Sequence, residues 1–126
     1  MRKLKLPGRD KSKPRLNDQD VELIRELGIK EVKSQAREMV IEKLQEPGEE
    51  NKEKVPKAGN PAYKAMHACR CSSRRKLSMA HKIPKEKALS ERDIDSIVNL
   101  LTRWIAREYN FFKKESPTNQ KKIEEF

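Results

Sequence analysis

The chain has 126 residues, of which 40% are charged and only 34% hydrophobic, with a net charge of +10 at pH 7. That length supports one domain with tails, and that composition supports only a small, helix-built core. No stretch approaches the roughly eighteen apolar residues of a membrane span, and MRKLKLPGRDKSK has no apolar run after its charges, so it does not read as a secretory signal. A cytoplasmic protein without membrane association is expected.

Residues 1–16 set Pro7, Gly8 and Pro14 among seven basic residues and one acidic, without periodicity, and read as a flexible basic arm. Asn17 or Asp18 caps a first helix with Val21, Ile24 and Leu27 on one face, and Gly28 ends it in a left-handed conformation. A second helix runs from about residue 30 to 45, with Val32, Ala36, Met39, Val40 and Leu44 as its buried stripe and Glu46-Pro47-Gly48 as its stop. A loop follows over about residues 46–60. Asn60-Pro61 then supplies a cap and a first-position proline for a third helix, which carries Tyr63, Met66, Cys69 and a basic run until Pro84 breaks it. Ser90, with Asp93 three residues on, approximates a capping box for the last helix. There Ile94, Ile97, Val98, Leu101, Trp104 and Ile105 recur at helical spacing. The expected fold is all-α: a small four-helix domain over 17–112, between the arm and a polar tail at 113–126.

The charge is not spread evenly. Residues 63–89 hold eight Lys/Arg against one Glu, residues 1–16 hold seven against one, and residues 17–47 are net acidic. Two positive blocks on a neutral or acidic scaffold point to a polyanion partner. Arg70, Arg74, Arg75 and Lys76 of the third helix, Lys82 and Lys85 around the break that follows, and Arg2, Lys3 and Lys5 of the arm are the candidate phosphate contacts. Arg103 and Arg107 form a further i, i+4 pair beside Trp104. An arginine fork donates two parallel bonds to phosphate and stacks on bases. Few aromatics and no strand pattern speak against a sheet-based stacking module. The first two helices are net acidic, which excludes them as a recognition helix-turn-helix. Reversing charge at Arg74 and Arg75 is expected to weaken binding and leave helicity intact.

Every cysteine and histidine falls within HACRCSSRRKLSMAH, residues 67–81. His67, Cys69, Cys71 and His81 are four N/S donors, the number zinc takes in a tetrahedral site. On one continuous helix, however, Cys69 points about 200° round from His67, and His81 lies about 21 Å along the axis. A four-ligand site therefore needs the helix to start after Cys71 or break before His81. Buried cysteines packing as small hydrophobes are the plainer expectation, so the cofactor expectation is none, with zinc as the alternative.

The segments Ala36-Arg37 with Leu44, Gly59 to Ala68 (GNPAYKAMHA), His81 to Lys85 (HKIPK) and LSERDIDSIV ending in Arg103-Trp104-Ile105 stand in an ordered series. Together they resemble a family of short bacterial, archaeal and viral proteins catalogued only as a domain of unknown function, over about residues 15–106. The family carries a C-C-x-x-C cluster between two histidines, which implies a metal site. Here His67 and His81 match, whereas the cysteine positions read Ser72, Ser73 and Lys76.

Two further signals are weaker. Gln120, Ile123 and Phe126 fit the Q-x-x-I-x-x-F core of a sliding-clamp-binding peptide. His67 or His81 as base, with Asp93 or Asp95 on a metal, would make a nuclease, although Asp93 is already explained by capping. The expected function is a non-catalytic nucleic-acid-binding accessory protein, associated with RNA, the ribosome or DNA. A zinc protein or metal-dependent nuclease and a clamp-binding factor are the alternatives.

Overall fold

The computed structural model describes residues 3–9, 14–45, 55–56 and 59–115. Four helices, α1 (Asp18–Leu44), α2 (Pro61–Ala68), α3 (Arg74–His81) and α4 (Glu91–Glu115), build an all-α domain. The expected caps are all present. Asn17 and Asp20 exchange side-chain and backbone bonds at the start of α1, at 2.9 and 3.0 Å. Asn60 Oδ1 accepts from Ala62 N at 2.8 Å, and Ser90 and Asp93 close the box that starts α4. Each such contact satisfies a backbone N–H that has no partner within its own helix.

One expected boundary holds and another differs. Gly28 takes φ 80°, ψ 157°, so α1 is two helical segments meeting at a kink there, as the left-handed glycine predicts. A side chain there would be strained at that φ, so glycine is required by backbone conformation rather than by space. The single helix expected from residue 61 to 83 is broken in two. Arg70 N donates to His67 O at 3.3 Å and Cys71 N to Met66 O at 2.7 Å, which is a Schellman ending with Arg70 as its left-handed residue, φ 59°. Ser73 then caps α3 by accepting from Lys76 N at 3.1 Å.

Helix α4 is the central element and packs against both α1 and α2. It buries Ile94, Ile97, Val98, Leu100, Leu101, Trp104 and Ile105 against Val21, Ile24, Val32, Ala36, Val40 and Leu44 of α1 and Ala62, Ala65 and Met66 of α2. Each large side chain so buried contributes roughly 1.5–3 kcal/mol before chain entropy is counted. The helix–helix contacts are therefore the main source of stability for so charged a chain.

The described arm residues, 3–9, carry no helix or strand, yet they lie along α4. Leu4 is buried, Arg103 Nη2 donates to Leu4 O, and Arg107 Nη1 donates to Pro7 O at 2.6 Å. Arg9 binds both carboxylate oxygens of the buried Glu108 through Nε and Nη2 and lies 4.0 Å over the Phe111 ring. Residues 103, 107 and 111 form one row of α4 at i, i+4 spacing, so the segment follows that row. Arg103 and Arg107, expected beside a phosphate backbone, instead hold this segment in place. No helix of the described residues is long and apolar enough to cross a membrane.

Candidate nucleic-acid interface

The expected contact residues separate into groups once the structure is considered. Arg2 lies outside the described residues. Lys3 and Lys5 are exposed on the arm segment, and Arg70, Arg75 and Lys82 are exposed around α3, with Lys76 and Lys85 half-buried. Arg74 is different: it is 6% exposed. Its Nη1 donates to Leu44 O and Gln45 O at 3.1 and 3.2 Å, and its Nη2 to Pro84 O and Lys87 O at 2.5 and 2.6 Å. Burial lowers the pKa of its guanidinium from the ordinary value, against the opposing pull of Asp93 and Glu86. Arg74 thus joins the last carbonyls of α1 to the loop after α3, and the sequence-based assignment of this residue to phosphate is corrected. The break before α3 sets the register that turns Arg74 inward and Arg75 outward.

Lys64 also leaves the basic surface. Its ammonium sits 2.6 Å from Asp20 Oδ2 and 3.0 Å from Arg15 O, deep between α1 and α2. By contrast, no ion pair among the described residues involves Arg70, Lys82, Lys85 or Lys87.

The junction of α2 and α3 is held by histidine. His81 Nε2 meets Cys69 O at 2.7 Å, and His67 Nε2 meets Val55 O at 2.9 Å and Pro56 O at 3.1 Å. A carbonyl only accepts, so each Nε2 carries the proton and donates. The His81 bond draws the end of α3 onto the end of α2. As a result Arg70, which follows Cys69, and Lys82, which follows His81, flank one contact. Both adopt left-handed backbone, φ 59° and 60°, a conformation that costs a non-glycine residue about 1–2 kcal/mol. Glycine would terminate either helix without that cost, yet a long cation stands at each place.

The same geometry bears on the metal reading. With Nε2 bonded to carbonyls, each imidazole could offer a metal only Nδ1. Among the described residues, no three His, Cys, Asp or Glu side chains gather as a metal-holding group. Neither cysteine is in a disulfide, and both are buried. Cys71 Sγ donates to Cys69 O at 3.4 Å. Desolvation, and secondarily the neighbouring Cys69, push the Cys71 thiol well above its ordinary pKa. Since a raised pKa favours the neutral thiol, Cys71 is neither a ready thiolate ligand nor a ready nucleophile. Iodoacetamide near pH 8 should therefore leave Cys71 unmodified in the folded protein and alkylate it in denaturant, as read by peptide mass. Rapid alkylation without denaturant would contradict the burial.

Of the nuclease candidates, Asp93 is occupied in its capping box, and Asp95 pairs, together with Glu91, to Arg37 across α1 and α4. Ile123 and Phe126 of the clamp-type motif lie outside the described residues.

Fold and surface together define a small helical domain with an exposed basic turn-and-helix segment beside a core of α1, α2 and α4. A family model described as Domain of unknown function (DUF4186) matches residues 5–106, and the chain belongs to that family. Neither the curated proteins nor the solved structures gave a match to the chain. The resemblance expected from the ordered segments is therefore shown, over a slightly longer span.

Proposed function

We propose that this domain is a non-catalytic nucleic-acid-binding accessory protein whose phosphate contacts are Arg70, Arg75, Lys76, Lys82, Lys85 and Lys87. One observation carries the reading: Arg70 and Lys82, in left-handed backbone and outside any described ion pair, are brought to one place by the His81–Cys69 contact. Cations left facing water at a fixed spacing match the repeating charge of a phosphate backbone, and binding would release condensed counterions. Lys3 and Lys5 on the docked arm segment add charge at a second position.

The test is a salt series of binding to duplex DNA and to folded RNA, read by fluorescence anisotropy. The double variant Arg70→Glu, Lys82→Glu should bind at least about tenfold more weakly at moderate salt. The slope of log affinity against log salt should fall by about 2, near 0.9 for each lost contact on a duplex. Circular dichroism should show unchanged helicity, because neither side chain is buried. Unchanged affinity in the folded double variant, or no binding of either polymer at low salt, overturns the proposal.

A further inference from the structure

Helix α3 turns Arg75 and Met79 to solvent one turn apart, and Lys82, the left-handed residue that ends it, is exposed just beyond. Met79 is 70% exposed, well above Ile29, Ile41 and Phe111, the other exposed large apolar side chains among the described residues. Phe111 lies beneath the Arg9 guanidinium, and Ile29 and Ile41 belong to α1, outside the basic segment of the sequence. Met79 alone stands between two exposed cations. Ala80 beside it is exposed and small, so the helix backbone can come close to a flat partner.

The mount behind these side chains is rigid. Leu77 is fully buried, Ser73 caps the first turn, Arg74 anchors the inner face to four carbonyls, and His81 fixes the last turn to Cys69 O. A thioether held this way is presented, not merely left over at a loop tip.

A single apolar side chain between cations fits few partners. A membrane surface requires a continuous apolar face on an amphipathic helix, and α3 exposes one such residue in two turns. A stable protein interface requires a contiguous apolar patch, which Met79 does not make by itself. Duplex DNA matches better. Arg75 and Lys82 are separated by about 10 Å along the helix axis, enough to bracket a minor groove about 6 Å wide. An unbranched, flexible side chain between them suits entry between two base pairs, where apolar wedges unstack a step and kink the duplex.

We infer that Met79 is a wedge that enters the minor groove of duplex DNA and bends it, with Arg75 and Lys82 seated on the flanking phosphates. This rests on the nucleic-acid reading above and adds the polymer, the groove and the deformation. The experiment uses the full chain and a duplex of about 25 base pairs labelled at both ends, within the length over which protein-induced bends are measured. Energy transfer reports end-to-end distance, and anisotropy reports affinity in the same samples. The wild type should shorten the end-to-end distance. Met79→Ala should lose most of that shortening while its salt slope stays the same, since no charge is removed. Lys82→Glu should lower the slope by about 1. Equal bending by Met79→Ala and wild type, or binding to the duplex without bending, overturns the wedge and leaves the polyanion reading standing. Tight binding to folded RNA that ignores Met79 does the same. Failure to bind either polymer at low salt overturns both.

Discussion

Arg74→Ala should unfold the domain at a temperature roughly 10–20 °C below the wild type, a loss of about 3–5 kcal/mol for a chain of this size. The reason is the number and position of its partners. Its guanidinium donates to Leu44 O and Gln45 O on one side and to Pro84 O and Lys87 O on the other. The first two belong to the C-terminal end of α1, where carbonyls have no helical partner and a cation is favoured by the helix dipole. The other two fix the loop that leads to Leu89 and α4, and Leu89 N itself donates to Gln45 O at 2.8 Å. Removing one side chain therefore takes a donor from each of four carbonyls, of which Gln45 O keeps Leu89 N, and unties three segments. Total stabilities are about 5–15 kcal/mol, so the effect takes a large share. Arg74→Lys should recover less than half, because one ammonium cannot span both carbonyl pairs as a planar fork does. Arg75→Glu, at an exposed position, should change stability by less than about 0.5 kcal/mol. Thermal and urea unfolding followed by circular dichroism separates these outcomes. An Arg74→Ala variant that melts within about 3 °C of the wild type would refute the structural role. A charge reversal made at Arg74 and Arg75 together mixes folding with binding, so helicity is no longer expected to survive it. Arg70 and Lys82 are the better pair for testing polyanion affinity.

The contrast between Arg74 and Arg75 shows where the sequence is readable. Helix starts at Asn17, Asn60 and Ser90 rest on bonds within three residues, and each is visible as a short polar residue before an apolar run. Gly28 is equally plain, since its left-handed backbone favours the residue that lacks a Cβ. The break between α2 and α3 is hidden for the opposite reason. Its left-handed residue is Arg70, not glycine, and its cap, Ser73, lies inside a run that also fits a continuous helix. A periodicity carried through residues 69–73 loses register, so it could not tell which arginine turns inward. The roles of Arg103 and Arg107 were unreadable in another way. Their partners are main-chain carbonyls some hundred residues earlier, at Leu4 and Pro7, and a carbonyl leaves no trace in side-chain pattern. The basic character of the segment was legible from composition, but Lys64 and Arg74 are buried and only the remainder faces solvent.

Asp20→Ala should destabilise the domain by about 3–5 kcal/mol, because it strands the Lys64 ammonium between α1 and α2. The side chains of Lys64 and Asp20 are only 10% and 6% exposed, and without the carboxylate the ammonium keeps Arg15 O as its one acceptor among the described residues. The substitution also opens the capping box, in which Asp20 Oδ2 accepts from Asn17 N. Lys64→Met should be damaging too, leaving a buried carboxylate with one backbone donor. The double variant Asp20→Asn, Lys64→Met should recover most of the loss, since asparagine keeps an acceptor for Asn17 N and methionine occupies the lysine's volume without a charge to desolvate. A double-mutant cycle in urea should give a coupling of about 2–3 kcal/mol, at the upper end for contacting residues. The Arg37 contacts to Glu91 and Asp95 provide a control on the surface. They also join two helices, but the carboxylates are 77% and 47% exposed, so removing either should cost no more than about 1 kcal/mol. Salt distinguishes the two as well: 1 M NaCl should erase the surface contribution and leave the buried one largely intact. If Asp20→Ala cost under about 1 kcal/mol, the ion pair would be no more than a surface contact, and the N-terminal end of α1 would be held by the Asn17 cap and the packing of Leu16, Val21 and Ile24.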